Sequence, residues 1–310
     1  MIMHRSDQAL AIRALRSAAP YIRMYKGKTF VVKAGGGVFA DGAATRVLVE
    51  QIAILHYFGV RVVLVHGGGP QLTELSAALG VPTRMVEGRR VTDEKSIDVT
   101  AMVLNGLINT RILGICRDLD IDAVGISGVD AGLVRAHKRA PMRTGSGELV
   151  DFGFVGDIDA VDTTVLKKLL ENGLMPVVSP LSADASGTLL NINADTVAAA
   201  IGAALGAEKL ILCTGAPGIL GDLADPGSLI SYTDLSGLKR LRDQGRIAEG
   251  MLPKARAIEE ALRGGVRRVH VVSYQSPEGI LGEVFTNEGT GTMIVADVNA
   301  LPPAEQQAGA

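Results

Sequence analysis

Tryptophan is absent from the chain, and aromatic residues make up only 4% of it, so the core has to be assembled from Val, Ile, Leu and Ala. Cysteine occurs twice, at Cys116 and Cys213, each inside an apolar stretch and far from the other in sequence. A disulfide framework is thereby excluded, and two buried thiols of a reduced, cytoplasmic protein are expected. There is no surplus of charge of either sign: the net charge is −2, which argues against nucleic acid as a partner. No apolar run approaches the length expected of a membrane span, and Arg5, Asp7, Arg13 and Arg16 interrupt any leader-like segment at the start.

Glycine, by contrast, is abundant. Thirty-eight glycines beside 47% hydrophobic residues favour an α/β protein with strands buried on both faces. Two stretches stand out, Thr29 to Gly37 (Thr-Phe-Val-Val-Lys-Ala-Gly-Gly-Gly) and Arg61 to Gly69 (Arg-Val-Val-Leu-Val-His-Gly-Gly-Gly). In each, a strand runs directly into three glycines, and one helix-length of sequence separates them. Glycine after a buried strand lets backbone amides approach an anion closely. The two loops, Gly35 and Gly36 in the first and Gly67 and Gly68 in the second, should lie side by side as one phosphate cradle, with Lys33 as its cation. Neither is a Walker A or a dinucleotide motif, because Gly-Lys-Ser/Thr and Gly-x-Gly-x-x-Gly are both missing.

The elements follow from the same pattern. Helices are expected at 6–25 (with Pro20 inside), 45–58, 70–79, 94–119, 195–205, 234–244 and 253–263. Strands are expected at 29–33, 61–65, 123–127, 132–136, 175–179, 189–194, 209–213, 268–273 and 292–296. Residues 84–93 read as a polar turn, 138–150 as an exposed hairpin or loop, and 301–310 as a disordered tail. The alternation of strand and helix implies a three-layer αβα sandwich around a mostly parallel sheet.

Four more features bear on chemistry. Arg90, in Gly-Arg-Arg-Val-Thr-Asp, is suited to clamp a carboxylate. Asn191 and Asn193 share one face of an extended segment, with Asp195 at the next helix start. Lys254 sits at a helix N-terminus, where the macrodipole disfavours a cation unless an anion is near. Thr214, Gly215 and Gly218 belong to a glycine-rich loop after a strand, suited to a nucleotide. Singly, each has an ordinary structural explanation, as a cap, a turn or a solvated lysine; their order and spacing carry the inference.

In that order, Val-Val-Lys-Ala-Gly-Gly-Gly, Val-His-Gly-Gly-Gly-Pro, Gly-Arg-Arg-Val-Thr-Asp, Asp-Phe-Gly-Phe-Val-Gly-Asp, Asn-Ile-Asn-Ala-Asp and Gly-Met-Leu-Pro-Lys resemble the N-acetylglutamate kinases of the amino acid kinase family. The likeness runs from about Ala14 to Val295. It implies phosphorylation of the γ-carboxylate of N-acetyl-L-glutamate by ATP, with Mg2+ carried by the nucleotide, as the second step of arginine biosynthesis. It implies catalytic roles for Lys33, Lys254 and Asp195, phosphate contacts from Gly35 and Gly36, substrate contacts from Gly67, Gly68, Arg90 and Asn191, and nucleotide contacts from Thr214, Gly215 and Gly218. It further implies an oligomerisation helix over 1–27, an amino-acid lobe over 28–206 and a nucleotide lobe over 207–300. A homo-oligomer is expected, a dimer or a hexamer built as a trimer of dimers, with L-arginine as effector beside the first helix. The rival readings are a kinase of a related acylated or carrier-linked acidic amino acid, and a catalytically silent amino-acid sensor. Three positions depart from the family pattern: Gly215 replaces an acidic residue, Gly128-Val129-Asp130-Ala131 replaces Gly-Lys-Asp-Gly, and Glu278 stands where a histidine is common.

Overall fold

The computed structural model describes residues 5–145, 147–225, 227–247 and 249–300; the expected tail 301–310 lies outside them. In chain order the main elements are α1 (Arg5–Tyr25), β1 (Thr29–Ala34), α2 (Gly42–Tyr57), β2 (Arg61–His66), α3 (Gly69–Ala78), α4 (Glu94–Asp118), β3 (Ala123–Ser127), α5 (Thr164–Glu171) and β4 (Met175–Ser179). They continue with α6 (Ala194–Leu205), β5 (Lys209–Thr214), β6 (Tyr232–Asp234), α7 (Leu235–Asp243), α8 (Leu252–Arg263), β7 (Arg268–Ser273), α9 (Gly279–Phe285) and β8 (Thr292–Val295). The strands form one sheet in the order β6-β8-β7-β5-β1-β2-β4-β3. Every pairing from β7 through to β3 is parallel. Only the β7–β8 contact is antiparallel. A smaller four-stranded sheet, in the order 189–191, 181–183, 134–138, 156–161, stands beside it.

The period of two along each strand sorts its side chains between two cores. In β1, Phe30, Val32 and Ala34 pack with α2, α4 and α9 on one face. Val31 packs on the other with α6 and α8. Both faces are buried, so the strand reads as an uninterrupted apolar run. Helix α6 packs close to the sheet because its inner face is small: Ala198, Ala199 and Gly202 are all buried. A Cβ on Gly202 would lie 3.2 Å from the Val266 side chain. Asn193 caps the helix, its Oδ1 accepting from the Asp195 amide at 2.8 Å and from the Thr196 amide at 3.3 Å.

Several elements differ from the sequence reading. Residues 84–93 are a β-hairpin, Arg84–Val86 against Arg89–Val91, rather than a turn. Glu87 and Gly88 both take positive φ, 48° and 72°, which suits a two-residue hairpin turn. The strand at 156–161, helix α5, strand β6 and helix α9 were not expected: α9 has seven residues and no side-chain cap, whereas α5 is plainly amphipathic, burying Leu166 and Leu170 one turn apart. Helix α4 contains a π-helical stretch, Met102–Ile108. Helix α4 is also long and apolar enough by composition to cross a membrane, contrary to the expectation that no run is. Val103, Leu104, Ile108, Ile112 and Cys116 bury one side of it in the core, which accounts for its apolar character.

The π turn brings Asn109 under the end of β2. Its Nδ2 donates to the Val177 carbonyl at 3.0 Å and faces His66 Nε2 at 3.2 Å. His66 therefore carries its proton on Nδ1, towards the Gly67 carbonyl at 3.4 Å. Complete burial pulls its pKa from 6.5 down to about 4. Between those values the unfolded chain binds a proton that the folded chain refuses, so this residue costs stability as the pH falls. Urea unfolding at pH 7 and pH 5 should show the gap between wild type and His66→Asn shrinking by about 2 kcal/mol at the lower pH. An unchanged gap would contradict the buried neutral imidazole.

Candidate active site

Lys33, one residue before the end of β1, lies on the same face as Val31, towards the first turn of α6, where Asp195 sits. The Lys33 ammonium lies 2.8 Å from Asp195 Oδ1. Lys254, in the first turn of α8, donates to Asp195 Oδ2 at 2.9 Å. The Lys33 contact is an ion pair that is off-line for a hydrogen bond, which leaves Oδ1 without one. Lys33 and Asp195 are 5% and 4% exposed, so their charges meet with little water between them. Burial lowers the pKa of Lys33, as does the charge of Lys254, while Asp195 opposes them. Burial works against ionisation of Asp195, but the two lysines outweigh it and hold the carboxylate below its usual range. One carboxylate between two ammoniums leaves a net positive charge on the cleft wall.

The two glycine runs begin level with each other, since Ala34 pairs with His66. They also touch. A Cβ on Gly36 would lie 2.7 Å from Pro70 Cδ and 2.8 Å from the Gly69 nitrogen. Gln71 Nε2 donates to the Gly36 carbonyl at 2.8 Å and ties the loops together. Gly68 backs onto α4, where a Cβ would sit 2.6 Å from Ile108 Cδ1. Among the described residues, the amides of Gly36, Gly37 and Gly68 donate to no protein acceptor. Such a cluster of amides beside two lysines is built for an anion.

Lys33, Gly35, Gly36, Gly67, Gly68, Arg90, Asn191 and Asp195 line one cleft of about 460 Å³. Arg90 is held in place by Thr83 Oγ1 at 3.0 Å, Thr73 Oγ1 at 2.7 Å and the Gly69 carbonyl at 3.2 Å. These bonds leave part of its five-donor fork for a ligand. Asn191 Nδ2 donates to Thr92 Oγ1 at 3.2 Å. The nucleotide-loop residues are placed differently. Thr214 turns inward, bonded to the Ala216 backbone at 2.9 and 3.1 Å, and does not line the cleft. Gly215 follows it at the end of β5. Gly218 lines a separate apolar recess of about 90 Å³, with Ile219, Leu238, Met251 and Ile258.

Sequence reasoning did not single out three groups. Arg139 and Arg256 line the cleft together with Arg89, which the sequence already places beside Arg90; burial lowers the pKa of Arg89, and the other two guanidiniums add to it. Arg139 grips Asp157 with two nitrogens. Away from the cleft, Lys209 Nζ lies 2.8 Å from His270 Nε2, and His270 Nδ1 donates to Glu283 Oε1 at 2.6 Å. This chain of groups borders a second cavity, of about 220 Å³, between the end of α1 and α9. The signal available in the sequence was a lysine and a histidine inside otherwise apolar strands. The third group is Tyr274, whose hydroxyl reaches the first glycine loop.

A parallel sheet with helices on both faces, two glycine loops at its carboxyl edge and two lysines sharing an aspartate define a class of phosphoryl-transfer folds. The model of the amino acid kinase family matches residues 28–273, and the chain belongs to that family. The chain is 48% identical, over 94% of its length and 96% of the relative's, to the acetylglutamate kinase of Myxococcus xanthus (strain DK1622). It is 43% identical to that of Symbiobacterium thermophilum, covering 91% and 96% of the two chains. Among solved structures, it superposes on the N-acetylglutamate synthase of Neisseria gonorrhoeae complexed with coenzyme A and L-arginine, with a TM-score of 0.79 and 27% identity. That match covers 92% of this chain and 65% of the longer synthase.

Exchanging Asp195 for Asn should leave Lys33 and Lys254 facing each other without a counter-charge, and lower stability by about 3 kcal/mol at pH 7. The folded variant should then release the Lys33 proton well below the unfolded value of 10.5, so its stability should recover relative to wild type as the pH rises. Urea unfolding at pH 7 and near pH 9 checks both; a loss that does not depend on pH would contradict the charge argument.

Proposed function

We propose that this chain transfers the terminal phosphoryl group of ATP to the side-chain carboxylate of N-acetyl-L-glutamate, the second step of arginine biosynthesis. The observation that carries the reading is the single buried carboxylate holding two lysines beside paired glycine loops. The acetylglutamate kinases to which the chain is 48% and 43% identical support the choice of substrate.

A carboxylate is already a nucleophile and needs no general base, so catalysis reduces to positioning and charge neutralisation. Arg90 and Asn191 hold the acylamino acid so that a side-chain carboxylate oxygen faces the γ-phosphorus. The oxygen–phosphorus bond forms as the bond to the β–γ bridging oxygen breaks, and ADP departs with the electron pair. Lys33 and the amides of the two glycine loops neutralise the equatorial oxygens of the group in transfer. Lys254 neutralises the leaving side, and Asp195 fixes both lysines. Among the described residues, no cluster of acidic, histidine or cysteine side chains could hold a metal by itself. A magnesium ion carried by the phosphates of the nucleotide would supply further neutralisation. We assign residues 28–206 to the amino-acid lobe and 207–300 to the nucleotide lobe, with the apolar recess at Gly218 taking the purine. Buried free thiols at Cys116 and Cys213 suit a cytoplasmic enzyme.

Lys33→Ala should reduce turnover by about 100-fold or more, because it removes a preorganised charge from the developing transition state. ADP release with N-acetylglutamate, glutamate, aspartate and N-acetyl-α-aminoadipate measures this and the substrate preference together. Near-normal turnover in the variant, or faster turnover with another acceptor, would overturn the assignment.

The cavity beside α1 is the effector site in this reading. It presents Lys209 and Arg268 beside Glu283 and Glu288, charges of both signs as a zwitterionic, cationic amino acid such as L-arginine requires. Glu278 is not among the residues that line it, so the departure there leaves its wall intact. Tyr21 packs edge-on against Phe285 and bonds Asn287, which anchors the end of α1. Leu10, Ile12 and Leu15, further along the helix, are 65%, 54% and 58% exposed. Exposed apolar side chains on this helix suit interlacing with a second copy, and three dimers joined in this way make a hexamer. Sedimentation should show the intact chain as a hexamer that binds arginine. A chain lacking residues 1–25 should sediment as a dimer with most of its activity but no arginine response. An intact dimer contradicts the first half, and a hexamer indifferent to millimolar arginine contradicts the second.

A further inference from the structure

Tyr274 follows β7 directly, and its amide donates to the Thr214 carbonyl at 2.9 Å, extending the β7–β5 pairing by one residue. From there the side chain runs across the carboxyl edge of β5 towards β1. A Cβ on Gly215 would lie 3.5 Å from the phenolic oxygen, and one on Gly37 only 2.9 Å from it. The hydroxyl thus stands between the loop that follows β5 and the loop that follows β1. It can do so because Gly37 has no side chain in its way, while at Gly215 a Cβ would make only ordinary contact. The ring rests half-buried on the core of that face. Among the described residues, no protein group hydrogen-bonds the hydroxyl.

The position matters because of what lies on either side. The apolar recess is lined by Ala216 and Gly218, directly after Gly215. The lysine-bearing cleft is lined by Gly35 and Gly36, directly before Gly37. A nucleotide with its base in the recess and its terminal phosphate at Lys33 has to pass its phosphate chain over Gly215 and Gly37. We propose that Tyr274 is a nucleotide-positioning residue, its hydroxyl donating a hydrogen bond to the phosphate chain of the bound nucleotide. With glycine at 215, no side chain of that residue stands at the crossing, and Tyr274 supplies the polar group there.

The inference rests on the kinase reading above, and its test separates the two. Tyr274→Phe keeps the ring and its packing while removing the hydroxyl. The KM for ATP should rise about tenfold, the loss expected for one hydrogen bond to an anion. The turnover number should stay within about twofold, and the KM for N-acetylglutamate should not move. By calorimetry, a non-hydrolysable ATP analogue should bind the variant about tenfold more weakly, while adenosine binds both proteins alike. An unchanged KM for ATP with unchanged analogue binding would make Tyr274 a packing residue and overturn the proposal. An equal loss for adenosine would do the same, since the contact would then lie at the base. If the wild-type protein released no ADP, the kinase reading would fail, and the calorimetric comparison would still decide whether Tyr274 contacts a triphosphate.

Discussion

Everything at the carboxyl edge of the sheet depends on Asp195. Its carboxylate is 2.8 Å from one lysine and 2.9 Å from another, and the three groups come from three separate elements, β1, α6 and α8. Two ammoniums this close repel, and Lys33 is buried as well; without the aspartate it would give up its proton or its position. The carboxylate is in turn held by where it sits, in the first turn of a helix whose backbone favours negative charge. Asn193 fixes that turn through two amides. The small inner face of α6 brings the turn close to β1. Packing, capping and electrostatics therefore converge on one oxygen pair.

The parallel sheet supplies the rest by simple geometry. Adjacent strands β1 and β2 run in the same direction and in level register, so their glycine loops emerge together. Ligands of open α/β sheets bind outside the carboxyl ends of the strands. Here Lys33 is the last side chain but one of β1, and β5, on its other side, leads to the apolar recess. In the proposed reading, the acylamino acid and the nucleotide approach along one edge from opposite ends. The cavity beside α1 lies outside this cleft, lined by β5, β7 and α9, with its own polar chain from Lys209 through His270 to Glu283.

Much of this was legible because it was local. Apolar runs ending in glycine marked β1, β2 and β5, and the bounds of α2, α3, α6 and α8 fell within three residues of their expected places. Lys33, Asp195 and Lys254 were chosen for their positions at strand and helix ends, and they meet because those ends meet. What was hidden depends on contacts between distant residues. The π turn in α4 leaves no local mark, since Met102–Ile108 reads like any helical segment. The hairpin at 84–91 was hidden by its polarity, as its strands are three residues each. Helix α5 was legible, since Leu166 and Leu170 repeat at helical spacing between polar residues, and it was missed. The stretch from Tyr274 to Pro277 looked unusual in sequence, but only the proximity of Gly37 and Gly215 gives Tyr274 a role. Thr214 was expected to face a nucleotide, yet its hydroxyl braces its own loop.

The central claim is that the two lysines gathered by Asp195 face the phosphoryl group in transfer. A crystal structure with N-acetylglutamate, ADP, magnesium and a planar metal-fluoride mimic of that group tests it most directly. The account places the mimic between the two glycine loops, with the Lys33 ammonium within about 3 Å of a fluoride and the Lys254 ammonium at a similar distance from the β–γ side. A mimic bound with both lysines still directed only at Asp195, and with its fluorides contacted by other residues, would contradict it.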